Sequence, residues 1–587
     1  MRAFAASLLA GAALALGLPT AAEPSLGFVH VEANVGGASG GHTALRVGDR
    51  VYHFQLGEDR LLALHREDWG LFRFRYNELQ NRPLHVAYVP VGAETVQRVR
   101  DYLTGLHLEY AREDGELAAL EADAATLEAL RGRRAGVPTR GAGLLDPDAP
   151  APAWAAGLAE RVAAALGREG PAPQRAALEA RLATAPADPA ALQAWREDLA
   201  LHDALRALGE GWPLAEAAAL SVGSKPLGAQ ERASLERLAV ALESTVVGLL
   251  RSRRPDRAGA LYATLARHRA ASRSLATERL VLVDPFPEHA PGLNRRDARV
   301  RRAELAAIAD YLDQRTAQVR ARILGGSAPS EPGLARLEAL AARAREYRGG
   351  ADGGEPVREP LGALLPQRAR SLPVGAPAPP DAEAALARIG SAVAQRRAAR
   401  AQRRHYGLFT ENCVTALART LDDALGGPEP LEQSLGGRVD PDAALAFWPL
   451  VYFGRVGERL AVERVERLPG HRERELNALR SREGALRLYA RESNTLSSRI
   501  YRRRDADGSF LLFTDDVFWP RPLFGALNLA WSAGDAALGL LTAPFDRGRR
   551  LERAGKGMLF SVPELVFVNI RKGSFDAAGL GRNRDAP

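Results

Sequence analysis

His42-Thr43-Ala44-Leu45-Arg46-Val47, then Gly48-Asp49, then Arg50-Val51-Tyr52-His53-Phe54-Gln55 is the stretch that decides the fold. Two alternating runs flank a two-residue turn, which is the pattern of a β-hairpin. With Val47 opposite Arg50, Ala44 falls opposite His53 and His42 opposite Gln55. Strand alternation then sends both histidines to one face, as diagonal neighbours about 7–8 Å apart at the backbone and within side-chain reach. The other face carries Thr43, Leu45, Val47, Tyr52 and Phe54, which reads as core. A lone histidine on a strand is more often structural than catalytic. Two on one face, preceded by the glycine-rich loop from Asn34 to Gly41, point to a site that a substrate approaches.

Working outward, Gly27 to Ala33 and Leu84 to Val91 read as further strands, and Ala93 to Leu106 as a helix. From about Ala111 to Arg400 the chain becomes alanine- and arginine-rich with helical spacing. Its clearest helix is Gln230 to Arg251, where Leu235, Leu238, Leu242, Val246 and Leu249 recur every three or four residues. Arg279 to Pro287 interrupts this as a candidate strand rejoining the sheet, and Ser509 to Thr514 looks strand-like. The fold class is therefore α+β, with a small antiparallel sheet and a large helical insertion.

The second informative stretch is Thr410-Glu411-Asn412-Cys413-Val414-Thr415-Ala416-Leu417, which holds the only cysteine. It reads as a helix start: Thr410 as cap, Glu411 at the positive end of the dipole, and Val414, Leu417, Leu421 and Leu425 as the apolar face down to Gly426-Gly427. In the first turn, Cys413 would meet unpaired N–H groups that favour its thiolate, with a pKa below the roughly 8.5 of a free thiol. A thiol nucleophile needs a base and a group that orients the base, roles open to His42 and His53. His405 is nearer in sequence but is separated from Cys413 by Tyr406 to Phe409. Gly37-Ala38-Ser39-Gly40-Gly41 matches G-x-S-x-G, yet a strand follows it where the serine elbow needs a helix. Zinc on His42, His53 and Cys413 lacks the short paired spacings of such sites, so neither metal nor cofactor is expected.

At 587 residues, 46% hydrophobic and 26% charged, the chain is too long for one core. Arg2, the apolar run Ala3 to Leu18 and Pro19-Thr20-Ala21-Ala22 form a secretory signal pattern with a cut near Ala22. The net charge of +8 is carried by arginines scattered among acidic neighbours. That is a weak pull toward anionic surfaces and, with export, argues against nucleic acid. The apolar runs Leu523 to Phe545 and Met558 to Ile570 flank Arg547, Arg549, Arg550, Arg553 and Lys556. Asp535 and the glycines argue against a membrane span, so a buried helix pair is the default. An interfacial surface resting on a bilayer, arginines on lipid phosphates, is the alternative.

The order Gly41 to Gly48 (GHTALRVG), Val51 to Phe54 (VYHF) and, much later, Asn412 to Leu417 (NCVTAL) resembles the circularly permuted papain-like enzymes. In these, as in the lecithin:retinol acyltransferase group, histidine precedes cysteine. The signal pattern, the helical insertion and the Asn-Cys-x-Thr helix look more closely like the exported bacterial proteins bearing the Lnb N-terminal periplasmic domain, a family linked to lipoprotein N-acylation. The motifs cover about Gly27 to Val91 and Tyr406 to Leu425. The resemblance implies a permuted papain-like core, a small sheet packed on the Cys-bearing helix, with Cys413 as nucleophile, His42 as general base and His53 orienting it. Asn412 is implied as cap or oxyanion support, and Thr410 and Tyr52 as supporting residues. The expected organisation is a signal peptide at 1–22, a discontinuous thiol core at 23–110 and 401–455, the insertion at 111–400, and a C-terminal region at 456–587 that is a candidate membrane-facing surface. The implied function is a periplasmic thiol acyltransferase or hydrolase, working through an S-acyl enzyme on a lipid or lipoprotein substrate. A cell-wall amidopeptidase on the same fold and a non-catalytic envelope scaffold are the alternatives.

Overall fold

The computed structural model describes residues 24–33, 41–57, 59–288, 290, 292–300, 302–326, 329–358, 360, 365–501, 503, 507–515, 517–570 and 572–573. The signal segment with its cut near Ala22, and loop residues 34–40 including Ser39, lie outside these residues. The described chain forms two compact units, one from residues 24–109 and 405–573, the other from residues 110–404.

The first unit is built on a six-stranded sheet of β1 (Ser25–Val31), β2 (His42–Val47), β3 (Arg50–Leu56), β4 (Leu62–Asp68), β5 (Leu84–Pro90) and β6 (Arg464–Leu468). The order is β6-β5-β1-β2-β3-β4, with every neighbouring pair antiparallel. The hairpin has the register its alternation predicts, Val47 opposite Arg50 and Leu45 opposite Tyr52. That ladder stops at Leu45–Tyr52. Beyond it β2 continues on β1 as far as the Val31–His42 pair, while β3 continues on β4 as far as Leu56–Leu62. The two strands thus part company at the end that carries the histidines.

One face of the sheet buries Val29, Val31, Ala44, Val51, Leu84 and Val86 under Phe72 and Tyr76. Phe72 comes from the short helix Trp69–Arg73, and Tyr76 from the single π-turn Phe74–Leu79 that follows it. On the other face Tyr52 and Leu45 are fully buried, and the Tyr52 hydroxyl meets Thr104 Oγ1 at 3.1 Å on the helix Ala93–Leu130. That helix runs well past Leu106, where the sequence pattern ended it. The helix Cys413–Leu425 packs against β2 and β3, and the helix Pro449–Arg459 against β1.

Residues 456–573 belong to the same compact unit as the sheet, because β6 hydrogen-bonds to β5. Ser509 to Thr514 is not a strand: Leu512 makes only an isolated bridge to Asn494. Phe510 and Phe513 turn into a cluster with Tyr501, and Asn528 Oδ1 accepts from the Leu511 and Leu512 N–H groups, occupying the donors a ladder would need. Arg279–Val283 is a strand, but it pairs with Ala219–Pro226 inside the second unit and does not rejoin the sheet. Val281 and Val283 are buried in that unit's own core, which holds them there.

The second unit is mainly helical. Its helix Ala229–Arg251 buries Leu235, Leu238, Val246 and Leu249, the stripe that the three-and-four spacing marks.

Near the C-terminus, helices Arg521–Asp546 and Arg549–Ser561 pair closely. The approach rests on glycine: a Cβ on Gly539 would come within 2.9 Å of the Leu551 nitrogen, and one on Gly557 would overlap the Ser509 carbonyl and Ser532 hydroxyl oxygens. Gly557→Ala is therefore expected to destabilise the first unit by about 1–3 kcal/mol, read as a lower urea midpoint. Gly555→Ala, in the same helix with open space around it, should be neutral or stabilising by up to about 1 kcal/mol.

Candidate functional site

The site begins with Asn412, which is buried and caps the Cys413 helix. Its Oδ1 accepts from the N–H groups of Val414 at 2.8 Å and Thr415 at 3.2 Å, and Thr415 Oγ1 accepts in return from the Asn412 N–H at 2.9 Å. Its Nδ2 donates to the carbonyls of Leu408 and Phe447, both at 2.9 Å. With both amide hydrogens engaged, Asn412 is the cap and has no donor left for an oxyanion. Thr410 does not cap; it sits exposed in the turn that closes Gly407 on Glu411. Capping passes to Asn412 because that residue has the extended backbone a cap needs, φ −130° and ψ −172°.

Cys413 is the first residue of the helix and keeps partial solvent exposure. Its sulfur lies against the main chain of β2: the N–H groups of Thr43, Cys413 and Val414 and the charge of Arg82 all favour the thiolate. Burial outweighs them and pushes the thiol up to about 11. The sequence expectation of a pKa below that of a free cysteine is thus overturned. The helix start is present, but enclosure by protein costs the anion more than a few donors return.

The expected pairs Ala44–His53 and His42–Gln55 do not form, because the β2–β3 ladder ends at Leu45–Tyr52. The two histidines still share a face and meet through their side chains, His42 Nε2 to His53 Nδ1 at 2.9 Å with the rings edge to face. His53 Nε2 has no hydrogen-bond partner among the described residues and stands 3.9 Å from Glu67 Oε2. The carboxylate favours a proton on that nitrogen, which leaves His53 Nδ1 as acceptor and His42 Nε2 as donor. His42 Nδ1 is then the basic nitrogen. Burial first, then neighbouring charge, holds both imidazoles well below 6.5, so they are neutral at pH 7. Among the described residues no hydrogen bond joins His42 to Cys413. At rest the thiol and both imidazoles are therefore neutral.

Several residues of this site were not singled out by sequence reasoning. Glu67, on β4, is bound by Arg75 Nη1 at 2.6 and 2.8 Å. Tyr76 stacks on His42 with centroids 5.6 Å apart, and Gln55 Nε2 donates to its hydroxyl. Arg82 is fully buried, donates to the Glu32 and Val31 carbonyls, and lies over the Tyr76 ring. The signals were there: a Glu67 that strand alternation places on the histidine face, and aromatics spaced four apart at Phe72 and Tyr76. Tyr52 turns to the opposite face from His53, so its role is packing. His405 is exposed and bridges Leu61.

Exposed apolar side chains form a collar on the two segments that Asn412 ties to the start of the Cys413 helix. Tyr406, Leu408 and Phe409 precede Asn412, and Leu445 and Leu450 flank Phe447, whose ring meets Phe409 at 5.1 Å. Burial first and the charge of a Cys413 thiolate second push the Tyr406 phenol up.

No protein family, no curated protein and no solved structure matches this chain.

Iodoacetamide labelling of Cys413 in the folded protein should be about two orders of magnitude slower at pH 7 than for a free cysteine, and should rise about tenfold per pH unit from 7 to 10. A plateau near neutral pH would instead mean a preformed ion pair. The histidines set a second expectation. Their folded pKa values lie below 6.5, with His30 at about 3, so the unfolded chain binds more protons on acidification. Stability is complete above about pH 6.5 and is lost below it, by about 1 kcal/mol per buried histidine at pH 5.5. Urea midpoints at pH 7.5 and 5.5 measure this, and His30→Asn should flatten the difference.

Proposed function

We propose that this protein is an exported thiol enzyme with a permuted papain-like core, which transfers or hydrolyses acyl groups of a lipid or lipoprotein through an S-acyl Cys413. The observation that carries the reading is the placement of one thiol, at the first turn of a capped helix, against the Thr43 N–H of β2, where the preceding residue, His42, is hydrogen-bonded to a second histidine. The apolar collar of Tyr406, Leu408, Phe409, Leu445 and Leu450 favours an acyl chain over a polar peptide as the group brought to the sulfur.

In this reading the Cys413 sulfur attacks the carbonyl carbon of an ester or amide while its proton passes to His42 Nδ1. Attack and proton transfer are coupled, since thiol and imidazole both rest neutral. The Cys413 N–H, which the Asn412 cap leaves unclaimed, is the nearest donor for the developing oxyanion. The carbon–oxygen or carbon–nitrogen bond then breaks as His42 returns its proton to the leaving atom. An acceptor hydroxyl, amine or water gives a proton to His42 and attacks the thioester, and as the carbon–sulfur bond breaks His42 returns that proton to the sulfur. His53 orients His42, and Glu67 supports the imidazolium that forms in each half-reaction.

Intact-mass measurement after incubation with a phospholipid and lipoprotein membrane extract, in parallel with peptidoglycan fragments, tests this. The expected result is an acyl adduct from the membrane extract that Cys413→Ser abolishes. Its formation should be slowed about 100-fold or more by His42→Ala, and less by His53→Ala. An adduct from peptidoglycan alone would replace the reading with an amidopeptidase, and no adduct from either would leave a non-catalytic scaffold.

A further inference from the structure

The paired helices Arg521–Asp546 and Arg549–Ser561 are arranged inside out. On the first, the buried stripe is Arg521, Gly525, Asn528, Ser532 and Gly539, spaced by three, four or seven. These residues are polar or small. Asn528 and Ser532 are fully buried and bonded, Asn528 Nδ2 to the Leu512 carbonyl and Ser532 Oγ to the Ser509 carbonyl. Nearby Glu564 and Lys572 form a buried ion pair at 2.5 Å. The opposite stripe, Leu523, Leu527, Trp531, Leu538, Leu541 and Phe545, faces outward, with Leu541 74% and Phe545 89% exposed. An ordinary surface helix has these two faces exchanged.

Such a pair gains little from apolar burial inside itself, and leaves its apolar stripe for another medium. The stripe runs from Leu523 to Phe545, about 33 Å of helix, and at the far end Phe518, Trp519 and Phe567 cluster in the open. At the turn between the helices the exposed cations Arg547 and Arg549 follow Phe545 and Asp546, whose carboxylate turns onto the Gly548 and Arg550 N–H groups. Apolar side chains with adjoining guanidinium groups match acyl chains beneath anionic phosphates. No helix among the described residues is long and apolar enough to cross a membrane, so the stripe would lie along the surface. We propose that this helix pair is a docking surface for an anionic lipid bilayer, seated in the interface with the Leu523-to-Phe545 stripe in the acyl region. The proposal is independent of the thiol chemistry.

Flotation of the full chain with vesicles tests it, because aggregates pellet while bound protein rises. The protein should float with phosphatidylcholine vesicles containing phosphatidylglycerol, and several-fold less with phosphatidylcholine alone. The double variant Leu541→Glu, Phe545→Glu should lose at least tenfold in bound fraction, and Arg547→Glu, Arg549→Glu should lose the dependence on phosphatidylglycerol. Cys413→Ser should float like the parent, and all four sites are surface or partly exposed positions whose variants should keep the parent circular dichroism. Failure to float, flotation unaffected by the apolar double variant, or self-association that this variant dissolves without any vesicle binding would each overturn the proposal.

Discussion

The position of the thiol depends on a single buried amide. Asn412 uses both amide hydrogens and two acceptor positions: the oxygen starts the helix through Val414 and Thr415, and the nitrogen ties that start to the chain at Leu408 and Phe447. The first pair of bonds decides that Cys413 is the first helical residue. The second decides where that helix end sits relative to the Tyr406-to-Phe409 turn and the Phe447 segment. A serine or aspartate would supply the cap but not the two donations, so the residue type is set by four bonds rather than one.

Around that fixed thiol the chemistry is governed by desolvation rather than by charge. Three N–H groups and Arg82 pull the sulfur toward the anion, yet its pKa stands at about 11, and the imidazoles of His42 and His53 stay neutral as well. The parting of β2 from β3 beyond Leu45–Tyr52 is what gives these groups room. Thr43 sits on β2 beyond the last β2–β3 pair, where its N–H faces sulfur, and His42 and His53 bridge the gap with a side-chain bond. The sheet thus stores reactive groups uncharged, which keeps the fold intact around them.

Much of this was legible in the sequence, and for local reasons. The hairpin register followed from a two-residue turn and strand alternation, and it placed His42 against His53 without any tertiary information. The Cys413 helix and the stripe on Ala229–Arg251 followed from their three-and-four spacing. What could not be read depended on partners distant in the chain. β6 is a short charged run, Arg-Val-Glu-Arg-Leu, that becomes a strand only because β5 offers an open edge. Ser509 to Thr514 has the short apolar run of a strand, but Asn528, distant from it in the chain, takes its donors. The thiol pKa was misjudged because a helix terminus is visible in sequence and enclosure is not. The antiparallel α+β sheet is what the sequence and the structure share, and the finer assignment to a permuted papain-like core rests on the motifs.

A protonated, enclosed thiol in a chain with one cysteine also has consequences for endurance. Peroxide oxidises thiolate, so a sulfur held at about 11 is shielded from oxidation in the same measure that it is slow to react. Once oxidised, it has no second cysteine in the chain to condense with. A sulfenic acid at Cys413 would wait for a reductant from outside, or proceed to the irreversible sulfinic state. The same burial that makes the thiol slow to react therefore protects it from oxidation.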